Sequence, residues 1–492
     1  MTSTAVTWDA IVFAGFVAAL AWVPFWFGSN SLFAWGFNAA VFGSLVVGYE
    51  FGLLLRARPH PVSLRRIGLP AFCLALAAAW ILVQISTLSP ESWHHPIWAM
   101  TADALGQPLA GSITLSRDLT ALALARFVTC ACVLWLALQL CRDGARAHRL
   151  VLALAVIGTA YAVYGLIAYV VSPDTVLWFP RTGSASALTA TFVNRNSYAT
   201  YAGMTAVAAL ALFLVPLRAP GYASTWATRA AHGLATLVGG AGLALVALCV
   251  IGAALLITGS RAGITASLAG LVGTVLLFAA SARRPLVSAL LLGIPALVLL
   301  LVLLSASGEA YLSGLERIGS LTGDRLAVYT ITLDSILASP LLGFGYGTFE
   351  HAFRMFRDGS LSDIQEVWDK AHNTPLEAVQ GLGIPAAALL LIGLGALALR
   401  CLRGALSRER NAQAPLAACG ATLLVSLHAL FDFSLQIQAV AITWVALLGA
   451  GVAQSWSSRT DTSDGEQRPR RAPERMSGTP HGIDPTHESR LA

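Results

Sequence analysis

Residues 32–55 read LFAWGFNAAVFGSLVVGYEFGLLL, and Arg56 and Arg58 follow directly. A helix of roughly 20 apolar residues spans a bilayer core of about 30 Å. Apolar runs of this kind recur along the whole chain of 492 residues, which is 56 % hydrophobic and 11 % charged. Soluble domains average about 25 % charged residues. The sequence therefore predicts an all-α, polytopic membrane protein.

The spacing of these runs predicts about 12 transmembrane spans. They cover residues 6–27, 32–55, 68–86, 120–140, 150–171, 198–217, 234–258, 262–280, 285–304, 382–399, 414–433 and 435–454. Arginines follow every even-numbered span, for example Arg142 after the fourth and Arg283 after the eighth. Because short basic loops remain in the cytoplasm, both termini are expected to be cytoplasmic.

The long loops then lie on the outer side, and the largest covers residues 305–381, between the ninth and tenth spans. Long ordered loops are usually functional. Apolar residues at helical spacing predict one helix after Asp324 and another that carries Phe349 and Phe353. Such helices suit a membrane surface or the roof of a cavity, and they also suit packing on each other. Between them, residues 343–347 read GFGYG and predict a flexible turn.

After the last span the composition becomes polar. Residues 457–492 are expected to form a disordered cytoplasmic tail, which leaves residues 1–456 as the membrane domain. The seven cysteines lie in or beside apolar runs, and no spacing suggests a metal site or a disulfide framework. The formal charge of +6 says little about binding partners, because the arginines and acidic residues are distributed unevenly among the loops. We expect membrane lipids as partners and no nucleic acid.

The stretch WDKAHNTPLE, residues 368–377, closes the largest loop. Thr374 and Glu377 predict the N-cap and third residue of a helix, with Pro375 between them. His372 then lies just outside a helix N-terminus, where the helix dipole and Lys370 both disfavour a charged imidazole. A neutral imidazole can accept a proton from a hydroxyl group. The stretch is equally compatible with an interfacial histidine that has no chemical role.

Several polar residues fall on the predicted outer face. Arg261 occupies a tight turn between two spans, and Arg325 begins the first loop helix. Arg181 precedes a loop that contains Asn194 and Asn196. Arginine suits phosphate because its planar group donates paired hydrogen bonds. These residues could hold a pyrophosphate, although Arg261 could instead reach toward the membrane interface.

Other polar residues lie within the predicted spans, where ionisable groups are costly. Glu50 and Arg126 could pair with each other or with other partners. His428 and Asp432 are four residues apart on the eleventh predicted span and face the same way. A structural hydrogen bond between them is the simpler interpretation, and a catalytic pair is the alternative.

Taken together, four segments resemble the superfamily of O-antigen ligases and O-antigen polymerases, which are bacterial envelope glycosyltransferases. The segments are TFVNRNSYA (191–199), TGSRAG (258–263), residues 325–349 with PLLGFGYGTF at their end, and AHN (371–373) followed by Glu377 and GIP (383–385). The resemblance covers about residues 180–455. One departure is Arg195, where the family usually has proline.

The resemblance implies a bacterial inner-membrane enzyme with its active site in the periplasm. It implies a donor glycan on undecaprenyl pyrophosphate, an acceptor hydroxyl on lipid A–core or on another lipid-linked glycan, and no metal or nucleotide cofactor. The family's two outer arginines fall on Arg261 and Arg325, and its histidine falls on His372. Arg181, Asn194, Asn196 and Lys370 are expected to bind substrate.

Two classes of function follow. The first is a glycosyltransferase, either a ligase or a polymerase of O-antigen or exopolysaccharide. The second is a transporter of a lipid-linked glycan, which predicts an internal repeat and broken helices near the middle of the membrane. No convincing repeat is evident, and the polar residues gather at one face.

Overall fold

The structure, a computed structural model, describes residues 3–181, 187–217, 225–282, 325–358, 368–408 and 411–456. Helices make up nearly all of the regular structure in these ranges. The exception is a short antiparallel hairpin, in which Val176 of β1 (Thr175–Val176) lies opposite Phe179 of β2 (Phe179–Pro180). The prediction of an all-α membrane protein is confirmed.

The helices up to the middle of the chain are α1 (Ser3–Trp22), α2 (Leu32–Leu55), α3 (Gly68–Ile85), α4 (Ile97–Leu105), α5 (Arg117–Leu140), α6 (Gly144–Val171) and α7 (Arg195–Leu214). Those that follow are α8 (Trp226–Val238), α9 (Gly240–Ile257), α10 (Arg261–Ala282), α11 (residues 325–338), α12 (Phe349–Phe356), α13 (Thr374–Leu382), α14 (Ile384–Ser407), α15 (Gln413–His428) and α16 (Gln438–Ala453).

Within the described ranges, eight helices are long and apolar enough to cross a membrane. They match the predicted second to eighth spans and the tenth. The first and last predicted spans are present as shorter apolar helices, Trp8–Trp22 and Gln438–Ala453. The eleventh is also short. The ninth predicted span, residues 285–304, and the predicted tail, residues 457–492, lie outside the described residues.

Two predicted spans differ from the helices observed. The seventh, residues 234–258, is interrupted at Gly239, whose extended backbone separates α8 from α9. The eleventh, residues 414–433, ends as a helix at His428. Directly after it, the N–H groups of Leu430 and Phe431 donate to carbonyls only three residues earlier, at 3.3 and 3.0 Å, so the helical ladder gives way to a turn.

Helix α7 lies at the centre of the bundle. Its large aromatic residues Tyr198 and Tyr201 are fully buried. Small residues allow the neighbouring helices to approach closely. A Cβ atom on Gly203 would lie 2.1 Å from the hydroxyl of Ser267 on α10. At the N-terminus of this central helix, Asn194 and Asn196 are half-buried.

The two ends of the bundle carry different residues. At one end, Asp9 near the start of α1 pairs with Arg58 after α2, at 3.4 Å, and with Arg146 at the start of α6, at 3.5 Å. The opposite end holds the first residues of α7 and α10, where Asn196 contacts Ser260. This separation agrees with the predicted division between basic loops and the candidate site.

Both helices predicted in the largest loop are present, as α11 and α12. They pack on each other through Val328, Ile331, Phe349 and Phe353, and Ala371 belongs to the same apolar cluster. The contact between the two helices therefore also places the segment that contains His372.

The glycine turn between α11 and α12 is not the flexible turn that we predicted. Its backbone N–H groups at Phe344 and Gly345 donate to the carbonyls of Gln380 and Gly381, both at 3.0 Å. Gly343 has a φ of 68°, and a Cβ atom there would lie 2.4 Å from the Gly381 carbonyl oxygen. The glycines are needed because this turn packs directly on α13.

Candidate functional site

The candidate site is organised around residues 429–434, the turn that follows α15. Backbone carbonyls of this turn accept hydrogen bonds from several segments of the chain. The Thr374 N–H donates to Ala429 O at 2.8 Å, and the Asn373 side chain donates to Leu430 O at 3.1 Å. This turn therefore fixes the start of α13, and with it the position of His372.

Asn196 joins two of the segments that the resemblance identified. Its side-chain oxygen accepts a hydrogen bond from the Ser260 hydroxyl at 2.7 Å. Its side-chain nitrogen donates to the carboxylate of Asp432 at 2.6 Å. Ser260 immediately precedes Arg261, so Asn196 links the arginine turn to the turn after α15. Asp432 is fully buried, and Phe433 N and the Ser434 hydroxyl also donate to it.

Arg325 lies on the other side of the same turn. Its guanidinium donates to Phe431 O at 3.3 Å. One helical turn later, the Tyr329 hydroxyl lies 3.1 Å from His372 O and 3.4 Å from Leu430 O. The start of α11 is thus attached both to the turn after α15 and to the histidine segment.

The ring of His372 is held between two aromatic side chains. Trp368 and Phe433 both meet it edge to face, with ring centroids 5.3 and 4.9 Å away and interplanar angles of 78° and 76°. The backbone of His372 has a φ of 52°, a left-handed conformation that is unusual for a residue with a side chain. Such conformations persist where the surrounding contacts determine them, and they gather at functional sites.

The capping of α13 differs from the prediction. Asn373, not Thr374, is the N-cap, and its side chain accepts a hydrogen bond from the N–H of Leu376 at 3.0 Å. Asn373 takes this position because its backbone is extended while Thr374 is already helical. Glu377 does reach back toward the helix start, but it accepts from the N–H of Ala371 at 3.0 Å.

Two charged residues lie close to the histidine segment. Burial raises the pKa of the Glu377 carboxyl, and the charge of Lys370 and the hydrogen bond from Ala371 oppose that shift. Lys370 itself pairs with its neighbour Asp369, with 3.2 Å between the ammonium and a carboxylate oxygen. Lys370 is therefore close enough to Glu377 to influence its carboxyl electrostatically, and it also has a local partner in Asp369.

The predicted hydrogen bond between His428 and Asp432 is not among the hydrogen bonds of the described residues. His428 contacts the Thr200 hydroxyl through Nδ1 at 3.0 Å. That hydroxyl donates to Asn196 O at 2.9 Å, so it must accept from Nδ1–H of His428. Asp432 instead bonds to Asn196. His428 therefore supports the backbone carbonyl of Asn196 through Thr200, and Asp432 accepts directly from the Asn196 side chain.

The remaining predicted site residues have identifiable surroundings. The Arg261 side chain is exposed at the first position of α10. Arg181 donates to Ala187 O at 2.5 Å and to the Thr189 hydroxyl at 3.3 Å, within its own loop. Asn194 is the N-cap of α7 and accepts from the backbone N–H groups of residues 196 and 197. The structure thus groups Arg325, His372 and Asn196 closely, while Arg181 and Asn194 stabilise local structure.

Glu50 and Arg126, which could have paired with each other, have separate partners. Glu50 accepts from the Trp135 indole at 2.7 Å and contacts His60 at 2.8 Å. The Arg126 guanidinium lies 4.5 Å from the centroid of the Trp35 ring and donates to a backbone carbonyl, that of residue 436. The indole ring and the carbonyl explain how this arginine is accommodated inside the bundle.

Sequence reasoning missed the aromatic and hydroxyl groups that hold the histidine. Trp368 and Phe433 lie far apart in the chain, and Tyr329 looked like one apolar member of an amphipathic helix. The presence of a tryptophan four residues before His372 was the only local signal. The other contacts depend on tertiary structure.

Part of the chain matches a known protein family. Residues 243–391 match the family described as O-Antigen ligase, and no curated protein matches the chain. The matched range contains Arg261, Arg325 and His372, whereas Asn196 precedes it. The resemblance found in the sequence motifs is thereby confirmed. This α-helical multi-pass membrane protein therefore carries, over residues 243–391, a region that matches the O-antigen ligase family.

Proposed function

We propose that this protein is a glycosyltransferase that moves a glycan from undecaprenyl pyrophosphate to an acceptor hydroxyl, in the manner of an O-antigen ligase. The proposal rests on the turn after α15, residues 429–434. Hydrogen bonds attach this turn to Arg325, to the segment that contains His372 and to Asn196. Asn196 also bonds to Ser260, which immediately precedes Arg261. The family match supports the reaction class.

The arginines suit the pyrophosphate. Arg261 is exposed at a helix N-terminus, where the helix dipole also favours an anion. Arg325 belongs to a separate element, α11, and is half-buried. Together they would hold the diphosphate and stabilise the charge that develops on its leaving oxygen. Paired guanidinium donors provide this stabilisation without a nucleotide or a metal cofactor.

His372 would act as the general base. The acceptor hydroxyl gives its proton to the imidazole, and its oxygen forms a new bond to the anomeric carbon of the donor glycan. The bond from that carbon to the pyrophosphate oxygen breaks, and the pyrophosphate leaves with the electron pair. A direct displacement of this kind inverts the configuration at the anomeric carbon. The contacts of the Trp368 and Phe433 rings with His372 fit this role, because they fix the orientation of the imidazole ring.

The acceptor in this proposal is lipid A–core, and the active site faces the periplasm from the inner membrane. The two ends of the bundle support this orientation, since the basic residues near Asp9 lie opposite the candidate site. Both termini would then be cytoplasmic.

A reconstitution experiment tests the proposed reaction. Purified protein in lipid nanodiscs should transfer the glycan from undecaprenyl pyrophosphate to lipid A–core without added nucleotide. Products are separated by gel electrophoresis and identified by mass spectrometry. Elongation of a lipid-linked glycan in place of transfer to lipid A–core would identify a polymerase. Absence of transfer to both acceptors by correctly folded protein would refute the proposal.

A further inference from the structure

Arg126 lies within α5, which is a candidate membrane span. Ionisable groups inside membrane spans are costly and are usually functional. The Arg126 guanidinium lies 4.5 Å from the centroid of the Trp35 ring on α2 and donates to the backbone carbonyl of Gln436. Gln436 ends the short helical turn Ser434–Gln436, which continues from the turn after α15. Arg126 therefore connects two membrane helices to the candidate site.

The Trp35 ring beneath the guanidinium is itself held in place. Its indole N–H donates to Ser29 O at 2.8 Å. One helical turn further along α2, the side-chain amide of Asn38 donates to the Ser29 hydroxyl at 3.0 Å and to Gln438 Oε1 at 2.8 Å. Ser29, Asn38 and Gln438 are all buried. These contacts fix the indole ring, and with it the guanidinium that lies over the ring.

Gln436, which accepts from this arginine, contacts the surroundings of His372 in two ways. Its backbone N–H donates to Phe433 O at 2.8 Å, and the Phe433 ring packs against the imidazole. Its side-chain amide donates to the Glu377 carboxylate. Glu377 in turn accepts from the N–H of Ala371, the residue before His372, at 3.0 Å. A displacement of Gln436 would therefore reach His372 through two separate contacts.

The charges of Arg126 and Glu377 also attract each other. Both side chains are half-buried, and the low dielectric inside a protein strengthens such an attraction. Lys370 acts on Glu377 in the same sense. An ionised carboxylate accepts stronger hydrogen bonds than a neutral carboxyl does. Arg126 therefore favours the form of Glu377 that holds the Ala371 N–H most firmly.

We propose that Arg126 is a positioning residue, which sets the place of His372 through Gln436 and Glu377 without contacting the substrate. This inference rests on the proposed role of His372 as general base. It extends the functional site to α2 and α5, which precede the family match at residues 243–391. A base must lie within hydrogen-bond reach of the hydroxyl that it deprotonates, so a small displacement of its segment lowers the rate more than donor binding.

Hydrogen–deuterium exchange tests the positioning without relying on the reaction. The full chain is placed in lipid nanodiscs, and exchange is measured in peptides that cover residues 369–378. Ala371 is buried and its N–H is hydrogen-bonded, so this N–H should exchange slowly in the unaltered protein. Arg126→Gln should accelerate its exchange by roughly three- to tenfold, which corresponds to weakening one hydrogen bond. Unchanged exchange in folded Arg126→Gln would overturn the proposal.

The transfer assay tests the consequence for catalysis. Arg126→Gln should lower kcat by ~10- to 10²-fold, because a displacement of about 1 Å can cost 10²-fold in rate. The KM for the lipid-linked donor should change little, since Arg261 and Arg325 hold the pyrophosphate. A raised KM with unchanged kcat would place Arg126 in donor binding and contradict the positioning role. Absence of transfer by the unaltered protein would refute the proposed function, whereas the exchange measurement would still test the positioning.

A double-variant cycle tests the route from Arg126 to His372. Glu377→Gln keeps an acceptor for the Ala371 N–H but leaves no charge for Arg126 to stabilise. The loss of kcat caused by Arg126→Gln should therefore be smaller in the Glu377→Gln background than in the unaltered protein. Equal losses in the two backgrounds would show that Arg126 acts by another route, against the proposal.

Gln436→Ala is a second variant, which leaves Arg126 in the bundle and so tests the same route if Arg126→Gln does not fold. It removes the side-chain donor to Glu377. Exchange at Ala371 should again be faster and kcat lower. Wild-type values of both quantities in Gln436→Ala would break the proposed connection between Arg126 and the histidine segment.

Arg56→Gln is the matched control for the loss of an arginine. Arg56 also lies over a tryptophan, 5.4 Å from the Trp8 ring, and donates to a backbone carbonyl, Gly52 O, at 3.2 Å. It follows α2 at the end about 30 Å from Trp35. Exchange in residues 369–378 and kcat should both match the unaltered protein. Equal changes in Arg56→Gln and Arg126→Gln would indicate a general loss of stability and refute a specific role.

Discussion

Asn196 donates a hydrogen bond across 2.6 Å to the fully buried carboxylate of Asp432. The same side chain accepts from Ser260 beside Arg261, so one amide connects two segments that are far apart in the chain. Asp432 lies in the turn that also receives Arg325 and the start of α13. The relative positions of the proposed catalytic residues therefore depend on this contact.

The first prediction concerns substitutions at positions 196 and 432, singly and as an exchange. Asn196→Asp would place two carboxylates in contact inside the protein and should lower the thermal midpoint strongly. Asn196→Ala should cost about 1–3 kcal/mol, because a donor to a buried acceptor is lost. The exchange variant Asn196→Asp with Asp432→Asn restores one amide and one carboxylate and should recover much of the stability. Thermal unfolding in detergent measures all three, and a double variant no better than Asn196→Asp would argue against a direct interaction.

The second prediction concerns His372 as the base. His372→Ala should lower the transfer rate by ~10² to 10⁴, because general-base catalysis contributes that range. Binding of the lipid-linked donor should be nearly unchanged, since the arginines hold the pyrophosphate. Transfer and donor binding are measured in parallel for each folded molecule. Full specific activity in His372→Ala would remove the histidine from the mechanism.

The third prediction compares guanidinium with ammonium. Arg261→Lys keeps the positive charge but loses the paired donors, so donor binding and transfer should both fall. Arg325→Lys should have a milder effect, because its guanidinium already donates to Phe431 O and is only partly directed at a ligand. Arg357→Lys, on the chain after α12, serves as a control for the substitution itself. Wild-type transfer in both test variants would indicate that the pyrophosphate site lies elsewhere.

The fourth prediction follows from Glu377. Burial raises the pKa of this carboxyl, so its ionised form is costly in the folded protein. Its contribution to stability is therefore greatest at low pH, where it is protonated, and decreases as the pH rises through the raised pKa. Glu377→Gln keeps an acceptor for the N–H of Ala371 but does not titrate. The thermal midpoint of Glu377→Gln minus that of the unaltered protein should therefore be larger at pH 8 than at pH 4. A larger difference at pH 4 would contradict the prediction.

Much of the architecture was accessible from the sequence. A long apolar run such as residues 32–55 becomes helix α2 with the same bounds, because a chain in a bilayer must satisfy its backbone hydrogen bonds internally. The helices α11 and α12 followed from apolar residues at helical spacing. Span lengths were less accurate where a turn ended the helix early, as residues 429–434 do after α15.

The sequence by itself determined the membrane class and the order of the helices, and it named the candidates for binding phosphate and moving a proton, because apolar length and side-chain chemistry are local properties. Only the tertiary structure decided which of those residues meet. The Asn196 link to Asp432 and the Phe433 ring against His372 both join distant parts of the chain. Helix packing selects such contacts, and no local pattern encodes them.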